Sequence, residues 1–256
     1  MLRSLALGLA GLIVSVMVRS AGPPPPLPTG PELAASLREL RPVEGSGVMR
    51  LRNPDGRWTA QVPVKVTLLE QKDSRQVFYE AFGPDGIVNE TLTVIHAAGR
   101  PTVYVLATGG HEPRRLTGAP AAVTFAGSEF WLSDLGLEFL DWPDQKIVKR
   151  ETRKGRDCLV LASSNPNPDA GGHARVLSWV DVEHRAIVRA EAFDVAGHLQ
   201  KEFSIGSFSR VKGPDGESHW QLKSMDIRNE QTDARTRLEF DLKLPADPVT
   251  PPPAEP

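Results

Sequence analysis

GSEFWLSDLGLEFLDW, Gly127 to Trp142, sets four aromatic and four leucine side chains among the carboxylates of Glu129, Asp134, Glu138 and Asp141. Either those acids form a catalytic cluster, or the stretch is an apolar plug whose acids face water. Spacing decides between them. On a helix capped by Ser133 and ended by Pro143, with Asp134 near its positive end, Leu135, Phe139 and Trp142 share one face. Leu137 and Leu140 flank that face, and Asp134, Glu138 and Asp141 gather on the far side. Carboxylates on a wet face have nothing to raise their pKa, so acid/base chemistry is not expected of them. A helix this short does not stand alone in water and must lie on something apolar. The expected role is a lid, with Phe130, Trp131, Leu135, Phe139 and Trp142 as its contact residues.

The rest of the chain supplies the surface to be covered. RLEFDLKL (Arg237 to Leu244) alternates strictly, with Leu238, Phe240, Leu242 and Leu244 pointing one way and charged residues the other. Similar runs begin at Gln61, Arg75, Asn89, Pro101, Gln145, Arg156, Arg175, Ala186, Gln200 and Trp220. Ten or more strands at steps of about ten residues predict an antiparallel sheet curled into a barrel or half-barrel rather than an α/β fold. NPDG at Asn53 to Gly56 and GPDG at Gly83 to Gly86 and Gly213 to Gly216 read as hairpin turns. A further helix is expected over GPELAASLREL (Gly30 to Leu40), with Leu33, Leu37 and Leu40 on one face and Pro42 as its stop.

Both ends have a different character. A short basic start precedes the apolar run LALGLAGLIVSVMV, with small residues at Ser20 and Ala21, so residues 1–21 read as a secretory signal peptide. The run is shorter than the roughly 20 residues a span needs, which makes an uncleaved anchor the lesser alternative. A Pro-rich linker (22–30), a folded domain (31–245) and a Pro-rich tail (246–256) follow. Export to the periplasm is therefore expected. Cys158 is the only cysteine of the 256 residues, so no internal disulfide can form and packing must supply the stability. Thirty basic and 32 acidic residues are interspersed, which argues against nucleic acid or an anionic membrane as the main partner.

Other chemistries find little support. No G-x-S-x-G elbow is present, the six histidines lack the close spacing of a metal site, and no glycine-rich loop enters a helix as phosphate cradles do. HEPRR, His111 to Arg115, reads as a solvated loop, with an anionic-ligand contact for its arginines as the lesser alternative. Neither a cofactor nor an enzymatic activity is expected. What remains is a wide apolar concave face under few helices, which is either filled as a structural core or open to a hydrophobic guest. An acyl chain gains about 0.8 kcal/mol per buried methylene, so one long chain could gain on the order of 10 kcal/mol gross by entering. Trp179, Phe193, Phe203, Trp220, Leu238 and Phe240 are the expected wall of that hollow.

GSEFWLSDL (Gly127 to Leu135) followed by LDW (Leu140 to Trp142) resembles the G-S-D-F-S-x-x-D-L signature of outer-membrane lipoprotein-sorting-like proteins, a divergent branch of the LolA-like superfamily. RAEAFDVAGHLQKEF (Arg189 to Phe203) resembles its strand–turn–strand segment with G-x-L-x-K, and WQLKSMDIRNEQTDARTRLEF (Trp220 to Phe240) its closing strands. The resemblance covers the second half well and the first half in strand rhythm. It implies a half-open antiparallel barrel with helices across the concave side, carrying lipoprotein or lipid acyl chains through the periplasm without catalysis. It also implies an arginine latching the lid, for which Arg114, Arg115 and Arg150 are candidates, and none is carried over. The alternative from another class is an envelope structural or regulatory module with a filled hollow and a protein partner.

Overall fold

A computed structural model describes residues 27–40, 44–117, 122–212 and 218–241. Thirteen strands among them form one antiparallel sheet. The strands are β1 (Gly45–Arg52), β2 (Trp58–Gln71), β3 (Ser74–Phe82), β4 (Val88–Ala97), β5 (Val103–Thr108), β6 (Arg114–Thr117), β7 (Asp144–Arg153), β8 (Arg156–Ser164), β9 (Arg175–Asp181), β10 (Ile187–Phe193), β11 (Leu199–Lys212), β12 (Ser218–Asn229) and β13 (Arg235–Asp241). Their order is β6-β5-β4-β3-β2-β1-β13-β12-β11-β10-β9-β8-β7. Two meanders thus run outward from a seam where β1 pairs with β13, and the sheet does not close. Its free edges, β6 and β7, are consecutive in the chain.

Antiparallel register keeps paired residues on the same face, so one face can be traced across the whole sheet. From β8 to β9 it runs through Leu159–Val180 and Leu161–Ser178. It continues through Ala190–Phe203, Phe203–Ile227, Ile227–Thr236 and Met49–Leu238. Val66–Tyr79, Tyr79–Leu92 and Leu92–Leu106 extend it to the far edge. This inner face carries the core. The outer face is charged over much of its area, with Arg237 on Asp226, Arg50 on Glu239 and Arg189 on Glu191 and Glu202.

Two segments cover the inner face. Helix α1 (Gly30–Arg38) starts at a capping box: the Thr29 N–H donates to Glu32 Oε2 at 2.7 Å and the Glu32 N–H to Thr29 Oγ1 at 3.4 Å. Leu33 and Leu37 are buried as expected, but the helix ends at Arg38 and Leu40 is 43% exposed. Pro42, the third GPDG turn, the signal segment and the tail lie outside the described residues. The other cover is the segment between β6 and β7, which contains the opening stretch. It is not the single helix that the spacing predicts. Phe125 N–H donates to the Phe130 carbonyl and Leu132 N–H to that of Val123, forming a tight hairpin around Ala126 and Gly127, both at positive φ. A one-turn helix α2 (Leu132–Leu135) follows, capped by Trp131 rather than Ser133. Leu137 at φ 49° breaks the path, and a 3-10 turn covers Glu138–Asp141.

The turns at Asn53–Gly56 and Gly83–Gly86 form hairpins, with Gly56 at φ +87° and Gly86 at φ +76°. Two strands, β1 and β6, are not evident from the sequence pattern. β1 (GSGVMRLR) looks too rich in glycine and arginine for a central strand. Its Gly47 packs so close to β13 that a Cβ there would lie 2.6 Å from the Glu239 carbonyl oxygen.

Gly30 makes the corresponding close approach between cover and edge, because a Cβ there would sit 2.2 Å from the Gln145 carbonyl oxygen. The obstacle is backbone and cannot rotate away. Gly30→Ala should therefore lift α1 from β7 and lower stability by roughly 1–3 kcal/mol in urea unfolding.

Candidate functional site

The cover presses its apolar side chains into two clusters on the inner face. Phe125, Phe130 and Leu132, with Leu135 at the margin, pack among Val64, Leu92, Tyr104 and Leu238. Phe139 and Leu140, with Trp142 at the margin, join Leu33 and Leu37 of α1 over Leu159, Leu161 and Val180. Phe130, Leu135, Phe139 and Trp142 thus lie against the sheet, though on a broken path that spreads them over both clusters. Of the wall positions, Leu238 and Phe240 belong to the first cluster and Phe203 borders the second. Trp179 and Phe193 require correction. Val160–Trp179 and Arg175–Phe193 pair on the opposite parity from the inner residues, which puts both on the outer face. There Trp179 packs with Cys158 and Val160 beneath Lys149, Arg153 and Arg189, and Arg175 covers Phe193. The Trp220 side chain lies outside the described residues.

Polar side chains rising from the inner face hold the cover in register. Arg75 on β3 donates to the carbonyls of Arg38, Leu40 and Glu39 at 2.8, 3.0 and 3.2 Å, satisfying the end of α1 where the helix dipole is negative. Arg38 reaches the Leu140 carbonyl at 2.9 Å and Asp141 at 2.8 Å, tying α1 to the 3-10 turn. Gln145 Nε2 donates to the carbonyls of Phe139 and Trp142, both at 2.8 Å, while Ser163 donates to its Oε1. Tyr79 Oη donates to the Leu135 carbonyl at 3.2 Å, and Glu90 Oε1 accepts the Ala126 N–H at 2.8 Å. Arg114 and Arg115 are exposed on edge strand β6 and Arg150 pairs with Asp157, whereas Arg75 and Arg38 make the bonds to the cover.

One further tie is ionic. Lys201 on β11 is 3% exposed, and its ammonium donates to Asp134 Oδ2 at 2.8 Å and to the Glu129 carbonyl at 2.7 Å. It also sits 3.7 Å from the ring centroid of Trp131. The ring of His173 stacks on the same indole at 4.4 Å, with Nε2 3.3 Å from Asp134 Oδ1 and Nδ1 2.7 Å from Gln200 Oε1. Trp131 is thus the lid residue that meets polar groups, not oil. Asp134 does not face water, because the break at Leu137 detaches it from the face shared by Glu138 and Asp141. Burial alone would raise its carboxyl, but the Lys201 charge and the His173 contact outweigh that and hold it well below the usual carboxylate range. Burial also pushes the Lys201 ammonium down, which Asp134 and Glu129 partly offset.

Spacing in the sequence assigns none of these contacts, yet a signal is present. Asp134 is the acid of the segment resembling G-S-D-F-S-x-x-D-L, and Lys201 the lysine of the one resembling G-x-L-x-K. Sixty-seven residues separate them in the chain, and they meet as an ion pair. Where the cover turns at Gly127, a cleft of about 210 Å³ opens between it and the ends of β1 and β13, lined by Arg52, Glu129 and Arg235 among others. Among the described residues, no helix is long and apolar enough to cross a membrane.

The profile of a family described only as uncharacterized proteins matches residues 89–246, the stretch that contains the cover and Lys201. The chain belongs to that family. No curated protein matches it. Among solved structures, a domain described as an outer-membrane lipoprotein-sorting protein from Vibrio parahaemolyticus is 20% identical, with a TM-score of 0.67 over 83% of this chain and 90% of that one. A DUF1329 family protein from Desulfovibrio piger is 17% identical, with a TM-score of 0.65 over 84% and 93%. A LolA superfamily protein from Nitrosomonas europaea is 16% identical, with a TM-score of 0.58 over 87% and 96%. The fold is therefore the LolA-like half-open barrel that the sequence resemblance implied.

Removing one member of the buried pair strands the other. Lys201→Met should cost about 3–5 kcal/mol in urea unfolding, and the double variant Lys201→Met/Asp134→Asn should recover a large part of that loss. Glu90 gives a pH-dependent test. Burial raises its carboxyl, opposed by the Ala126 N–H, so the folded state favours the neutral form, and the penalty builds as pH rises past the unfolded value and is complete above the folded one. Glu90→Gln keeps an acceptor for Ala126 without the charge. It should raise the Tm at pH 7, and the difference should fade by about pH 4, where the wild-type carboxyl is largely protonated.

Proposed function

We propose that this protein is a non-enzymatic periplasmic carrier for acyl chains of lipids or lipoproteins, exported by its N-terminal signal peptide. One observation carries the reading: the inner face is covered by a tethered segment whose apolar side chains occupy the volume an acyl chain would take. Phe130, Leu132, Phe139 and Leu140 are buried there, yet they belong to a chain of short turns held by side-chain bonds rather than to the sheet ladder. A guest that displaces the cover exchanges one apolar contact for another, so the net cost is far smaller than the gross burial. Release follows when the cover returns to the same surface. The shared fold of a lipoprotein-sorting domain supports this reading.

The filled hollow also suits the second reading, an envelope module that binds a protein partner and never opens. The two differ in how a weakened cover behaves. Phe139→Ala removes a buried contact from the cover and should cost about 3–5 kcal/mol of docking. As a competitor of the guest, that cover should then yield more readily, and the affinity for a fluorescent acyl-chain probe should rise. Val195→Ala, at a turn tip where Val195 is 75% exposed, should change neither affinity nor Tm. If neither wild type nor Phe139→Ala binds the probe while Phe139→Ala lowers the Tm, the carrier reading falls and the module reading stands.

A further inference from the structure

We infer that the guest is an anionic amphiphile, an apolar chain ending in a carboxylate or phosphate, and that Lys201 with His173 receives its anion. The inference rests on the carrier reading and narrows its ligand. The polar partners of the Lys201 ammonium, the Asp134 carboxylate and the Glu129 carbonyl, both come from the cover, as does the Trp131 ring over it. Among the described residues, none of the inner-face neighbours of Lys201 in the sheet is an anion. The inner-face residues paired with Lys201 are Ala192 on β10 and Asn229 on β12, and the next inner position along β11 is Phe203. Glu191 and Glu202 have the opposite parity and are already bonded to Arg189 on the outer face.

Lifting the cover therefore removes the counter-ion and leaves the cation in place. An uncharged chain in the hollow would exclude water from an unpaired ammonium, which disfavours its binding. A guest carrying its own anion avoids that cost. The vacated geometry already has the right form: one Asp134 oxygen lies 2.8 Å from Lys201 Nζ, and the other lies 3.3 Å from His173 Nε2. Gln200 Nε2 donates to the Gly171 carbonyl and so presents Oε1 to His173 Nδ1; with the ring protonated at both nitrogens, His173 and Lys201 can hold both oxygens of another carboxylate, or two oxygens of a phosphate. His173 stays oriented after the cover leaves, because its contact with Gln200 comes from the sheet. Asp134 thus stands in for the head group of the guest, as the apolar side chains of the cover stand in for its tail.

The test uses the full chain and displacement of N-phenyl-1-naphthylamine by oleate, oleyl alcohol and oleoyl lysophosphatidate, each below its micelle concentration. Oleate or the lysophosphatidate should displace the probe at least about tenfold better than the alcohol, and the stronger of the two identifies carboxylate or phosphate as the head group. In Lys201→Met/Asp134→Asn, which removes both charges of the Lys201–Asp134 pair, that preference should fall to a small remainder while the alcohol still binds. Equal displacement by all three in the wild type overturns this inference and leaves the carrier reading intact. Failure of the protein to bind the probe or any of the three overturns both.

Discussion

Strands that follow one another in the chain, β6 and β7, stand at opposite edges of a thirteen-stranded open sheet, and everything on the concave side follows from that placement. The connection has to cross from edge to edge, and the direct route lies over the inner face. That face is mostly apolar and faces no second sheet, so the crossing segment must itself be apolar enough to cover it. This accounts for leucines and aromatics among acids in one short stretch. It also fixes how the hollow behaves toward a guest. A cover tethered to both edges is never far away, and a tethered competitor acts at an effective concentration in the millimolar range or higher. A guest can be bound tightly only while something favours the open state, and it is expelled without any change in its own chemistry.

Apolar contact and polar ties do different work in holding that cover. The apolar clusters provide most of the favourable energy but specify position weakly, since one hydrocarbon surface is much like another. Arg75, Gln145, Tyr79 and Lys201 each meet a particular backbone carbonyl or carboxylate of the cover, so they set its register. An ion pair as buried as Lys201 with Asp134 is close to break-even once desolvation is counted. It can fix a position without making the closed state irreversible. A cover held by an equal area of hydrocarbon alone would lack that specificity, and one held by ladder hydrogen bonds would not come away.

Alternation makes most of the sheet legible in the amino-acid sequence, because the period of two survives wherever one face is buried and the other wet. It fails where local composition hides the pattern. β1 needs Gly47 for contact with β13, and β6 is only four residues long. Alternation also does not say which parity faces inward, and size and apolar character alone point Trp179 and Phe193 toward the hollow. Lys149, Arg153 and Arg189 cover Trp179 on the outer face, a burial by long cationic side chains that no periodicity reveals. The facing of the opening stretch escapes the sequence for another reason. Helical spacing presumes an unbroken helix, and Leu137 in the left-handed region resets the rotation, which turns Asp134 toward Lys201. Pairing across 67 residues is a tertiary fact, visible in the sequence only as two motif fragments of opposite charge.

The direction of the two shifts in that pair bears on what opens the hollow. The Asp134 carboxyl is held below its unfolded value, so its contribution to closure is complete at any pH above the ordinary carboxylate range. It is lost only as pH falls through the depressed folded value. Mild acidification therefore leaves Asp134 ionised and does not by itself free the cover. The Lys201 ammonium is pushed down by burial, so a rise in pH neutralises it more readily under the cover than in the open and favours closure rather than opening. Neither of these two titrations supplies an opening signal under mild acid, so protonation of the Lys201–Asp134 pair is a poor trigger for this latch. Competition for Lys201 by another anion, arriving with enough apolar surface to replace the cover, is the change to which the arrangement responds.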